Sequence, residues 1–227
     1  MLNATADFFG FISYFAELAA GAIGFSPTAF RKVAESGAAQ SAAFTIAFLA
    51  GASEMLGQSV VLVVNRVAIY RFLASLAFTG VTYVVTALIW GLTTLAVAPL
   101  TRVGALGLGD FLPTASLLAL AFAPRLFGFL AIAPYIGSPL SNVLEAWSMA
   151  LAIFALHVGL NLPVGAAVAC GGAGWAASFI LRAFLGRALA HPLRQLRVAV
   201  SGTTLEKSPA QVLEDTLARL QRDDAGR

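Results

Sequence analysis

Residues 72–98 read FLASLAFTGVTYVVTALIWGLTTLAVA, 27 residues without one Asp, Glu, Lys or Arg. A helix needs about 20 predominantly apolar residues to cross the hydrocarbon core of a bilayer. This stretch therefore predicts a transmembrane helix, and it sets the class of the whole chain. The bulk numbers agree. Of 227 residues, 59% are apolar and 11% are charged, against about a quarter charged in an ordinary soluble domain. A water-soluble globule would have almost nothing with which to coat such a core. A soluble enzyme, a disordered tail and a nucleic-acid module are excluded at this step.

Four further stretches qualify on either side: about 40–64 (containing SAAFTIAFLAGASEMLGQSVVLVV), 112–134, 142–160 and 163–185. The breaks between them carry charge or turn chemistry. Asn65, Arg66 and Arg71 divide the first two spans, and Pro99, Arg102 and Asp110 the next pair. Pro134, Gly137, Ser138 and Pro139 form the third break, and the short Gly159–Pro163 link makes the last two spans an antiparallel hairpin. The expected fold is all-α, a polytopic membrane bundle over 39–185 with five spans.

Residues 1–38 form an N-terminal segment. Within it, Asp7, Gly10, Tyr14, Glu17, Gly21 and Gly24 recur every three or four residues and put small or polar groups on one helical face. That pattern predicts an amphipathic helix lying in the interface or docked on the bundle; a sixth crossing at 7–24 is the alternative. Residues 1–30 contain no Lys or Arg, so no cleavable signal with a positive n-region is expected. Residues 186–227 form a charged soluble tail, in which Ser208 and Pro209 start a short amphipathic helix.

Charge placement gives an orientation. Eight of the fourteen Lys and Arg lie at or after Arg182, and Arg66 and Arg71 share that side when the spans number five. Arg31, Lys32 and Arg102 lie opposite. The positive-inside rule puts the tail in the cytoplasm, and the expected location is a bacterial inner (cytoplasmic) membrane. The formal charge of +3 then reflects cytoplasmic loops, with no nucleic-acid partner.

Apart from His157 and Arg182 near span ends, three ionisable residues fall within the spans: Glu54, Arg125 and Glu145. A charge at the bilayer centre costs about 2.5–3.5 kcal/mol on insertion scales, so such residues face the bundle interior and pair. They form the predicted intramembrane polar site. One reading pairs one glutamate with Arg125 and leaves the other free to carry a proton or gate a cation; the other makes the pair an interhelical packing device. Glu145, near the start of its span, is within reach of an interface. Pro124 removes a backbone donor and predicts a kink in the third span, with the Arg125 guanidinium available to the freed carbonyl.

Ala166, Cys170, Gly174 and Ser178 stand four residues apart on one face of the fifth span, and Ala43, Ala47 and Gly51 do the same on the first. Such small-residue stripes predict close helix packing. One cysteine and two histidines leave no disulfide and little for a metal site. GGAG at 171–174 and GALGLG at 104–109 lack the spacing and context of a phosphate loop. No catalytic or cofactor-binding residue and no cofactor is expected.

Residues 25–35, FSPTAFRKVAE, with a Pro and an aromatic–Arg pair before the first span, resemble the pre-membrane segment of the Ypt-interacting-protein (Yip) domain family. Residues 118–134, LALAFAPRLFGFLAIAP, resemble that family's third span, and residues 142–175, ending in AGW, its last hairpin. The resemblance covers roughly 25–185 and rests on order and spacing. It implies a five-span bundle without enzymatic activity. Eukaryotic relatives organise vesicle membranes and contact small GTPases and membrane-shaping partners. The chain has no match to their Asp-Leu-Tyr-Gly-Pro-type segment, and its short, Ala-rich form resembles the bacterial branch. The family's usual cytosolic N-terminus would call for the sixth crossing. The expected function is scaffolding or organising membrane components, with a membrane-protein partner or a homo-oligomer in the lipid bilayer. The alternative is a small transporter or permease subunit with a Glu54/Arg125 site, although five unequal spans show no repeated halves.

Overall fold

A computed structural model describes residues 2–58, 69–101, 106–133 and 137–180, with side chains from residue 10 except that of Arg71. The described chain is all-helical, 91% helix, with no strands. The helices are α1 (Leu2–Ile23), α2 (Pro27–Glu35), α3 (Gly37–Gln58), α4 (Ile69–Val97), α5 (Phe111–Leu120), α6 (Gly137–Gly159) and α7 (Val164–Ile180). Between α5 and α6 runs a 3-10 helix, Ala123–Ile132. Three stretches are long and apolar enough to cross a membrane: Phe72–Thr101, Leu108–Ile132 and Gly137–Gly159. Gly10–Ile23 and Val164–Ile180 are shorter apolar helices. The expected soluble tail, and residues 59–64 of the expected first span, lie outside the described residues.

The segment Leu108–Ile132 is the most buried of the three long ones, 67% against 22% for Phe72–Thr101. The other helices wrap around it. Leu117, Leu118, Ala119 and Leu120 are fully buried, as are Ala42, Ala43, Ile46, Ala47 and Ala50 of α3. Helix α3 is the inner partner, and Gln40 and Glu54 dilute its apolar character. Helix α4 instead turns Leu73, Phe78, Val81 and Leu92 outward.

The third span is not the single kinked α-helix expected from Pro124. The α-helix stops at Leu120, the chain turns at Ala121 and Phe122, and ten residues continue as a 3-10 helix. Runs beyond three or four residues are uncommon for this geometry, because its hydrogen bonds are poorer. Two features account for it here. Pro124 cannot supply an α-helical N–H. A three-residue period also stacks Phe122, Arg125, Gly128 and Ala131 in one row, and that row lies against α3 and α4. A β-carbon on Gly128 would sit 2.9 Å from Cα of Glu54, and one on Gly57 would meet Ala131 at 3.2 Å. Only glycine at these crossings lets the two backbones touch.

Helices α1 and α2 dock on the bundle through Leu18, Ala19, Ala22, Phe30 and Val33. Phe25 takes a left-handed conformation in the turn between them, and Lys32 Nζ bonds Glu17 Oε1 at 2.8 Å. Glu17's hydrogen bond and charge push the Lys32 pKa above its ordinary 10.5. At the other end, Asn161 supplies a left-handed residue to the α6–α7 turn. There His157 Nδ1–H donates to the Leu162 carbonyl at 2.7 Å.

Candidate functional site: a buried arginine shared by two carboxylates

Four elements bring their polar groups to one place. The 3-10 row carries Arg125, whose side chain is 8% exposed. Helix α3 contributes Glu54, helix α4 Tyr83 and helix α6 Glu145. One guanidinium nitrogen, Nη1, donates to Glu54 Oε2 at 2.8 Å and to the Tyr83 hydroxyl at 2.6 Å. The Tyr83 hydroxyl in turn donates to the same Glu54 oxygen. The other, Nη2, lies 3.6 Å from Glu145 Oε2. The guanidinium carbon stands 5.5 Å from the centre of the Tyr83 ring, and Phe122 packs edge-on to that ring at 5.0 Å. Arg125 Nε is buried without a hydrogen-bond partner, as are Trp147 Nε1 and Ser148 Oγ.

The structure thus brings together all three ionisable residues singled out in the sequence, with a difference in how they pair. Both glutamates contact Arg125, Glu54 closely and Glu145 at longer range. The guanidinium serves carboxylates and a phenol rather than the carbonyl freed by Pro124. Glu145 also stands further from the start of its helix than the sequence suggested. Helix α6 starts at Gly137, which places Glu145 about 12 Å along it, at 1.5 Å per residue. Its Oε1 accepts the Trp175 indole N–H of α7 at 3.3 Å.

A second polar device ties the broken span to α3. The Ser53 hydroxyl donates to the Leu126 carbonyl at 2.7 Å and accepts the Phe129 N–H at 3.0 Å. One side chain thereby bridges the carbonyl and the N–H that stand three residues apart, the spacing a 3-10 helix pairs. Neither Ser53 nor Tyr83 stands out in the sequence as a site residue. The available signal for Tyr83 was its place near the middle of a 29-residue helix, where a phenol needs an internal partner.

The small-residue face of α7 is turned inward: Ala166, Cys170, Gly174 and Ser178 are all buried. Trp90 of α4 lies against Gly174, where any β-carbon would overlap the indole. Its Nε1–H donates to the Gly171 carbonyl at 3.1 Å. Trp90 also leans on Phe122, 6.1 Å between ring centres, so α7 is joined through one tryptophan to the start of the 3-10 row. Among the described residues, no group of three or more His, Cys, Asp or Glu could hold a metal ion.

With three stretches long and apolar enough to cross a membrane and Phe127, Phe129, Leu130 and Ile132 exposed outside, the molecule is a helical bundle of membrane-associated type. Compared with protein-family models, with characterised proteins and with solved structures, the chain finds no match.

Proposed function

We propose that the protein is a non-enzymatic integral membrane protein of the Yip type that scaffolds or organises other membrane components. In this reading the chain crosses a bacterial inner membrane five times. The spans are α3 with the residues after it, α4, the α5–3-10 segment, α6 and α7. The segment α1–α2 lies at the interface, and the tail is cytoplasmic. The Yip reading is supported by the order and spacing of residues 25–35, 118–134 and 142–175, and the orientation by the Lys and Arg distribution.

The observation that carries the scaffold over the transporter is the double hold on Glu54. Glu54 accepts from both Arg125 and Tyr83, and a carboxylate held by two donors at a helix crossing is a packing device rather than a mobile carrier. A binding site that alternates between two membrane faces would need Glu54 to be released at each cycle. The test is native co-purification together with thermal denaturation of the full chain in nanodiscs. A scaffold brings a stoichiometric membrane partner and melts at one temperature whatever small solute is offered. A transporter would instead be stabilised by its substrate or by a change of pH, and that result would overturn the reading.

A further inference from the structure

Among the described residues, Arg125 is the only cation in a cluster with two carboxylates. Glu54 takes the short contact, at 2.8 Å, while Glu145 has only the 3.6 Å approach and the Trp175 indole. By formal charge the cluster has two carboxylates against one guanidinium, and it is exposed on one side. The Glu145 side chain is 46% exposed, at the seam between α6 and α7. Around it the surface is apolar and aromatic. Val143, Trp175 and Phe179 are all exposed, and the Trp175 and Phe179 rings stack with an interplanar angle of 22° and centres 6.0 Å apart. The carboxylate is half-exposed about 12 Å from the start of an apolar helix long enough to cross a membrane. A carboxylate left against lipid is unfavourable.

The geometry points to a docking seam: Glu145, Trp175 and Phe179 receive a partner transmembrane helix that carries an Arg or Lys at matching depth. The incoming cation gives the second carboxylate a counter-charge, and the indole and phenyl faces bind a guanidinium or ammonium through their quadrupoles. A second copy of this chain related by a two-fold axis would bring one Glu145 up to another and add charge of the same sign. A basic partner brings the opposite sign. This inference rests on the membrane-spanning scaffold reading and names the chemistry of the partner that such a scaffold holds.

The probe is a pair of Leu/Ala peptides of about 20 residues, one with Arg and one with Gln at the centre. Each is labelled for energy transfer to the full-length chain and reconstituted with it in phosphatidylcholine vesicles. The Arg peptide is expected to associate about tenfold more tightly than the Gln peptide, the scale of one interhelical polar contact. Glu145→Gln should erase that preference. Equal association of the two peptides with the wild-type chain, or a preference that survives Glu145→Gln, overturns the proposal. So does self-association of the chain that excludes both peptides, which would assign the seam to a second copy. Vesicle flotation and protease protection of the same samples separate the two levels. A chain that is not embedded sinks the membrane-spanning reading itself, whereas an embedded chain without the Arg preference sinks only the docking seam.

Discussion

Replacing Arg125 by Met should destabilise the bundle more than replacing Glu54 by Gln, although the two residues form one ion pair. The reason is the composition of the cluster. Arg125 faces Glu54 at 2.8 Å and Glu145 at 3.6 Å and is bonded to Tyr83. Arg125→Met leaves two carboxylates around an apolar side chain, and removing one partner of a buried pair costs about 3–5 kcal/mol. Glu54→Gln preserves shape and the Tyr83 hydrogen bond, and it leaves Arg125 facing Glu145. That variant should cost about 1–2 kcal/mol, because Arg125 keeps the Tyr83 hydroxyl and Glu145 as partners. The double variant should cost less than the sum, since Glu54→Gln removes one of the carboxylates that Arg125→Met strands. The assay is reversible unfolding of the reconstituted chain by titration with denaturing detergent, with all four members of the cycle measured side by side. If Glu54→Gln costs as much as Arg125→Met, or the two losses simply add, Arg125 is not the shared hub inferred from these distances.

The packing sets three further outcomes. Gly128→Ala should lower stability by about 1–3 kcal/mol, since its β-carbon would press to 2.9 Å from Cα of Glu54; Gly165→Ala, with nothing within 4 Å, is the matched neutral control in the same unfolding assay. Ser53→Ala removes both hydrogen bonds to the 3-10 backbone and should cost about 1–3 kcal/mol, with faster amide exchange at Phe129 as the local signature. Gly174→Leu should expel Trp90 from its seat on α7. Its effect is read as a shift in tryptophan emission that is absent when Trp90 is first replaced by Phe.

The sequence carried depth more readily than direction. Glu54, Arg125 and Glu145 announced themselves because charge inside an apolar run is expensive wherever it points. Their meeting required knowing which face of each helix looks inward, and uniformly apolar spans rich in Ala and Gly encode that only weakly. Tyr83 was legible as a residue of a span but not as the bridge between Glu54 and Arg125, because a tyrosine fits an interfacial belt equally well. The small-residue face of α7 was readable from its four-residue spacing; its seat for Trp90, 84 positions away from Gly174 in the chain, was not. The α-to-3-10 change was hidden because Pro124 signals a break without specifying the geometry of the chain beyond it. The three-residue recurrence of Phe122, Arg125, Gly128 and Ala131 was the pattern that could have shown it. Helix α6 begins five residues before the expected span, at Gly137, because Pro139 is tolerated in a first helical turn.

The central claim is that the chain crosses the bilayer five times with the Arg125 cluster enclosed between the crossings. The most direct measurement is a series of reporter fusions truncated within 65–68, 103–106, 134–137, 160–163 and after 190, scored for cytoplasmic or external activity. The account predicts strict alternation, beginning and ending with the cytoplasmic signal. Two successive fusion points that report the same side would remove a crossing and contradict it.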